Sequence, residues 1–148
     1  MLYVVLVVGI FLLDYFIKRY VDKKYSGKEK HSKLGGFVYI QKSYNAGAML
    51  NLLEKRPGLL RMLQSVMMLV VLIWFYVSLR RNDGELGKLG TAFLVGGGLS
   101  NLFDRYTKGH VVDYIGFSFG PKRFQKVIFN ISDFFIFIGA ALSVIGHR

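Results

Sequence analysis

The stretch from Met62 to Leu79, MLQSVMMLVVLIWFYVSL, carries no charged residue. At ~1.5 Å of rise per residue, a helix of this length nearly crosses the ~30 Å hydrocarbon core of a bilayer. Leu59 and Leu60 precede it, and Arg61 can snorkel to the interface, so the segment is long enough to span. A helix of a soluble bundle would show a polar stripe. Residues 66–77, VMMLVVLIWFYV, show none. The chain therefore reads as a membrane protein.

Three more apolar runs flank this one. The first covers about 1–18, with Met1 to Ile17 broken only by Asp14; it lacks a basic leading region and a small-residue cleavage site, so it reads as a retained anchor. The third covers about 86–104, is rich in glycine, and has Lys88 near one end. The fourth covers about 130–147, with the apolar character starting at Val127 and broken by Asp133. With 59–79 as the second span, the expected fold is an all-α membrane protein of four transmembrane helices in a single domain, 1–148.

Composition agrees. Of 148 residues, 53% are hydrophobic, the net charge is +11, and there is no cysteine. The missing cysteine excludes disulfides, thiolate metal sites and a thiol nucleophile. His31, His110 and His147 are too scattered for a zinc site, so no metal or cofactor is expected. The Lys and Arg residues lie in connecting segments rather than on one soluble face, so no nucleic-acid partner is expected. Residues 22–57 form a long basic loop in which Gly35-Gly36 and FVYIQ (37–41) read as a turn and a short strand. Arg80 to Glu85 is a tight polar turn. Residues 104–126 read as a second long loop, broken by Gly109, Gly116, Gly120 and Pro121.

Four spans put both termini on one side and the first and third loops together on the other. That shared face collects Asp14, Lys18, Asn45, Asn101, Asp104, Arg105, Asp113, Asn130 and Asp133. The opposite face keeps little beyond Arg80, Arg81, Asp83, Glu85, Lys88, His147 and Arg148. Ionisable groups at membrane depth are costly and mark sites.

Asp113 and Asp133 are the candidate catalytic pair. Two carboxylates meeting beside an apolar region cannot both ionise cheaply; one shared proton lets them serve as acid and base together. Their plainer roles are a helix N-cap for Asp133, with Ser132 as rival, and a solvated loop carboxylate for Asp113. If they pair, the dipole of the fourth helix favours charge on Asp133, and Asp113 holds the proton more often. Asn101, Asp104 and Arg105, at i, i+3 and i+4, share a helix face, and Arg105 offers a fork to a carboxylate, a phosphate or a peptide carbonyl. Asp14 and Lys18, at i and i+4, read as a helix-end ion pair that supports the site indirectly. Asn45-Ala-Gly-Ala48 reads as a small-residue turn presenting an amide. Gly96-Gly97-Gly98 lacks the lysine and spacing of a phosphate loop and reads as a close helix-packing site.

These pieces have an order. Asp14-Tyr-Phe-Ile-Lys18, Asn45-Ala-Gly-Ala48, Gly97-Gly-Leu-Ser-Asn101-Leu-Phe-Asp104-Arg105, Val112-Asp113-Tyr-Ile and Phe129-Asn130-Ile-Ser-Asp133 together resemble bacterial lipoprotein signal peptidase (signal peptidase II, aspartic peptidase family A8). The resemblance covers essentially the whole chain. It implies an intramembrane aspartic endopeptidase with four transmembrane helices and a small extracytoplasmic β-containing cradle. Such enzymes remove the signal peptide of a diacylglyceryl-modified prolipoprotein on the N-terminal side of the lipidated cysteine, and globomycin-type cyclic peptides inhibit them. Asp113 and Asp133 match the catalytic pair. Asn45, Asn101, Arg105 and Asn130 match residues that line the site or position substrate, with Asp14, Lys18 and Asp104 in support. Implied partners are prolipoproteins and membrane lipids. The implied location is the bacterial cytoplasmic (inner) membrane, multi-pass, with both termini cytoplasmic and the site toward the extracytoplasmic face. The chain departs from the usual pattern at Tyr15, Ile17, Met49-Leu50, Ser100 and Ser132, none of which removes a charged or amide group.

Charge counting points the other way on orientation. Sixteen Lys and Arg lie on the proposed catalytic face and four on the other. The positive-inside rule would place the larger number in the cytoplasm. The resemblance places that face outside, where exported lipoproteins are met, and anionic headgroups are the candidate partners of the excess charge. Two other functions fit the same residues: a small membrane protein that binds an ion or anionic lipid, and a family-like protein that binds lipoprotein precursors without cutting them.

Overall fold

In the computed structural model, which describes residues 1–27, 29–47, 53–81 and 84–146, the apolar runs form four helices. These are α1 (Leu2–Lys24), α2 (Pro57–Arg80), α3 (Glu85–Thr107) and α4 (Ile131–Gly146). Pro57 opens α2 at a position where a missing N–H costs nothing. Helix α1 runs past the expected end at residue 18 because Val21, one turn on, packs against Val112 and Tyr114. Among the described residues, only α2 is long and apolar enough by itself to cross a membrane; α4 is apolar but shorter.

Helix α3 is central and packs on α1, α2 and α4. The three consecutive glycines face three different helices. A Cβ on Gly96 would lie 2.9 Å from Ile10 Cβ of α1, and one on Gly97 would lie 2.6 Å from the Ser132 carbonyl oxygen of α4. A Cβ on Gly98 would meet the Met68 methyl of α2. The expected packing role thus holds, with a separate neighbour for each residue.

The two long connections build one antiparallel sheet: β1 (His31–Lys33), β2 (Val38–Asn45), β3 (Val111–Phe117) and β4 (Ile128–Phe129), in that order. The expected strand at 37–41 is real but longer. The expected loop at 104–126 is largely a correction: α3 continues to Thr107, β3 follows, and a 3-10 turn spans Phe124–Lys126. The strand signal in Val-Val-Asp-Tyr-Ile is muted because its partner lies some seventy residues away and its faces are both covered. Strand β4 takes the start of the apolar run at 127, so α4 begins at Ile131.

Register fixes the site. Asn45 pairs with Val111 and Ser43 with Asp113; a bulge between Ile40 and Ser43 restores Ile40 opposite Ile115. Ile115 pairs with Phe129, so Asn130 emerges beside β3 and leads into α4. At this end lie the C-termini of α1 and α3 and the N-terminus of α4. At the other end Tyr3 donates to Glu85, and Gly84 approaches Gly146. Ala48 and Met49-Leu50, and Asp83, His147 and Arg148 of the opposite face, lie outside the described residues.

Candidate active site

Four carboxylate oxygens are held by three asparagines. Asn130 Nδ2 donates to Asp113 Oδ1 at 2.7 Å, and Asn45 Nδ2 donates to Asp113 Oδ2 at 3.0 Å. Asn101 Nδ2 donates to Asp133 Oδ1 at 2.9 Å, and the Asn130 backbone N–H donates to Asp133 Oδ2 at 2.9 Å. Asn130 therefore touches both carboxylates. Each oxygen keeps a lone pair for a proton or a water. Both aspartates, with Asn45, Asn101, Arg105 and Asn130, line one cavity of about 310 Å³.

The local sequence explains how Asp133 is held. The Asn130 side chain accepts from the Asp133 N–H at 3.1 Å while Asp133 accepts from the Asn130 N–H. This is a capping box with asparagine at the N-cap and aspartate three residues on. Neither role assigned to the cap from sequence survives: Asp133 is the returning member, and Ser132 points elsewhere. Asp113 is not a solvated loop carboxylate but sits on β3 with 3% exposure. Burial first, and then the nearby Asp133 charge, push it up to about 7, while the Asn130 and Asn45 amides and Lys18 pull it down.

Asp14 and Lys18 form a second cluster behind the first. They are buried and 2.6 Å apart. Asp14 Oδ2 also accepts from Ser100 at 2.5 Å and Ser132 at 2.6 Å, and Oδ1 accepts from Tyr114 at 3.3 Å. Burial pushes the Tyr114 phenol up, so it stays a donor, while its oxygen accepts from the Ile131 N–H at 3.1 Å. Lys18 Nζ donates to Asn101 Oδ1 at 2.8 Å, which turns the Asn101 NH2 group toward Asp133. A buried ion pair is costly unless its remaining bonds are satisfied, and here they tie α1, α3, α4 and β3 together.

Arg105 and Asp104 do less chemistry than their charge suggests. Arg105 donates to the carbonyls of Asn45 at 3.3 Å and Gly47 at 2.5 Å, clamping the segment after β2. Asp104 pairs with Lys108 at 3.0 Å and Lys18 at 3.3 Å, and accepts from the Val112 N–H at 3.4 Å. Sequence reasoning missed Ser100, Ser132 and Tyr114 as donors to Asp14. It also missed Gln64, which lines the cavity from α2 and whose signal was legible: it is the lone carboxamide in the uncharged run 62–79.

The family profile described as Signal peptidase (SPase) II matches residues 6–147. The chain belongs to the signal peptidase II family. The lipoprotein signal peptidase of Mesorhizobium japonicum is 36% identical over 145 residues, covering 96% of this chain and 82% of that protein. The one from Neisseria meningitidis serogroup C is 31% identical over 146 residues, covering 98% and 88%. Two bacterial membrane enzymes solved by the in meso method share the fold. One has a TM-score of 0.82 at 22% identity, covering 97% of this chain and 85% of that one. The other has a TM-score of 0.77 at 21% identity, covering 97% and 90%.

Proposed function

We propose that Asp113 and Asp133 are the catalytic pair of this signal peptidase II. The enzyme is an aspartic endopeptidase that removes the signal peptide of prolipoproteins. The observation that carries the residue assignment is the shared cavity in which Asn45, Asn101 and Asn130 hold all four carboxylate oxygens.

The chemistry follows. The pair holds one proton, on Asp113 more often, while Asp133 sits as carboxylate in the first turn of α4. Asp133 takes a proton from water as its oxygen attacks the scissile carbonyl carbon. Asp113 gives its proton to the carbonyl oxygen, and a gem-diol forms. The proton held by Asp133 then passes to the amide nitrogen, the C–N bond breaks, and a gem-diol proton returns to the pair. Asn101 and Asn130 keep the two carboxyl groups in register through the cycle. Lys18, anchored by Asp14, orients Asn101, and Arg105 holds the 45–47 segment at the rim.

The four helices are read as four transmembrane spans of one domain. Support comes from the apolar side chains they leave exposed: Val4, Val5 and Val8 on α1, Met62, Val66 and Ile73 on α2, and Phe137 and Ile138 on α4. The sheet end is read as extracytoplasmic and both termini as cytoplasmic in the bacterial inner membrane, with diacylglyceryl-cysteine precursors as substrates. The basic residues of that end then face anionic lipid headgroups. A reporter fused within residues 80–85 should be active only in the cytoplasm; extracytoplasmic activity would overturn the orientation. In detergent, the purified enzyme should cleave a diacylglyceryl-modified prolipoprotein, with globomycin inhibiting. Asp113→Asn and Asp133→Asn should each be folded and inactive. An intact precursor with folded wild type would sink the reading and favour the non-cutting binder.

A further inference from the structure

The catalytic cavity has a wall the proposed mechanism does not use. Helix α2 contributes Met67, Met68 and Val71, all apolar, and Gln64, which is not. Gln64 is half-buried, yet its Oε1 is out of solvent with no hydrogen-bond partner among the described residues. A buried carboxamide oxygen without a donor is expensive, and more so in a span that meets lipid on its other face. Two more polar atoms of the same cavity share this condition: Asn45 Oδ1 and Arg105 Nε. Asn45 spends its amide nitrogen on Asp113, and Arg105 spends its two terminal nitrogens on backbone carbonyls.

Beside the two carboxylates and the amide nitrogens that hold them, the site thus offers two vacant acceptors and one vacant donor along largely apolar walls. An extended peptide carries alternating N–H and C=O groups and fits such a pattern. The diacylglyceryl group carries ester oxygens and no N–H, so it cannot satisfy the two acceptors. We infer that Gln64 is a substrate-binding residue that accepts a hydrogen bond from one backbone N–H of the bound signal-peptide segment. This rests on the peptidase reading above. Methionines at 67 and 68 flank it with adaptable apolar surface, so the wall grips the substrate backbone at Gln64 while tolerating different side chains. That division suits an enzyme whose substrates differ in sequence around one shared lipidated cysteine.

The test is a cycle between enzyme and substrate. Gln64→Met keeps length and volume and deletes the acceptor. It should raise KM about tenfold with kcat within about twofold, the pattern of a lost uniform binding contact. In parallel, lipidated peptide substrates carry a single ester in place of one non-scissile amide, scanned along the residues before the cysteine. For the wild type, one position should raise KM by about the same factor. At that position Gln64→Met should show no further loss, because the bond is already gone. Unchanged KM in Gln64→Met, a flat ester scan, or losses that simply add would each overturn the inference. The ester scan uses wild-type enzyme, so a misfolded variant does not blunt it. Absence of wild-type cleavage would instead refute the peptidase reading itself.

Discussion

Asn130 does two jobs, and Asn130→Ser separates them. Serine ranks with asparagine as an N-cap, so α4 should keep its stability to within about half a kcal/mol. The shorter side chain withdraws the donor that sits 2.7 Å from Asp113 Oδ1. An amide donor on a buried carboxylate contributes about 1.5–3 kcal/mol. At about 1.4 kcal/mol per pH unit, that is one to two pH units. The sign is fixed by which form the bond favours. The N–H stabilises the Asp113 carboxylate, so its loss lets Asp113 keep its proton to higher pH. Asp113 already titrates at about 7 because burial and the Asp133 charge outweigh its amide donors. In the proposed mechanism activity requires one proton on the pair and fails on the alkaline side when that proton leaves. The alkaline limb of kcat/KM should therefore move up by one to two pH units in Asn130→Ser, with thermal stability in detergent unchanged at acid pH, where Asp113 is protonated, and reduced above pH 7, where the lost bond leaves its carboxylate less well held. A limb that stays in place, or moves down, would refute the assignment of Asn130 as the donor that sets Asp113.

Three further outcomes are expected. Asp113 rises from 3.8 to about 7 on folding, so its burial costs nothing below pH 4 and up to about 4 kcal/mol above pH 7. Asp113→Asn should abolish cleavage yet gain thermal stability relative to wild type as pH climbs from 5 to 8; a pH-independent gap would contradict this. Ser132→Ala removes a donor 2.6 Å from buried Asp14 and should cost about 1–3 kcal/mol in unfolding experiments, with a neutral result excluding that bond. Gly97→Ala places a Cβ 2.6 Å from a backbone oxygen of α4 and should displace the turn that carries Asp133, costing about 1–3 kcal/mol and most of the activity. Gly98→Ala meets only the Met68 methyl and should cost less on both counts; equal effects would refute the packing argument.

How far the sequence could be read depended on the range of the interaction. The four apolar runs are local properties of the chain. Their lengths and the few charges in and beside them, Asp14, Lys18, Lys88 and Asp133 among them, announce helices and their polar ends without any partner in view. The order of the five motifs carries the family for the same reason, since identity and spacing are read along the chain. Parity alone brings the polar residues to one end. What it cannot say is which atom meets which.

That was decided by tertiary contacts. Strand β3 is a strand because β2, some seventy residues earlier, pairs with it, and no pattern within Val-Val-Asp-Tyr-Ile specifies that pairing. The register of β2 on β3 puts Asn45 on Asp113, and the register of β4 places Asn130 between the carboxylates. Arg105 reads as a fork for a carboxylate, a phosphate or a peptide carbonyl, and only folding selects the last, the carbonyls of Asn45 and Gly47. Ser100 and Ser132 look like neutral departures until packing of α3 and α4 through Gly97 brings both onto Asp14. By itself the sequence determined the helices and the family and nominated the pair of aspartates, because apolar length and motif spacing are one-dimensional. Only the tertiary structure decided which donors hold those aspartates, because hydrogen bonds between distant residues form only when packing brings their atoms within reach.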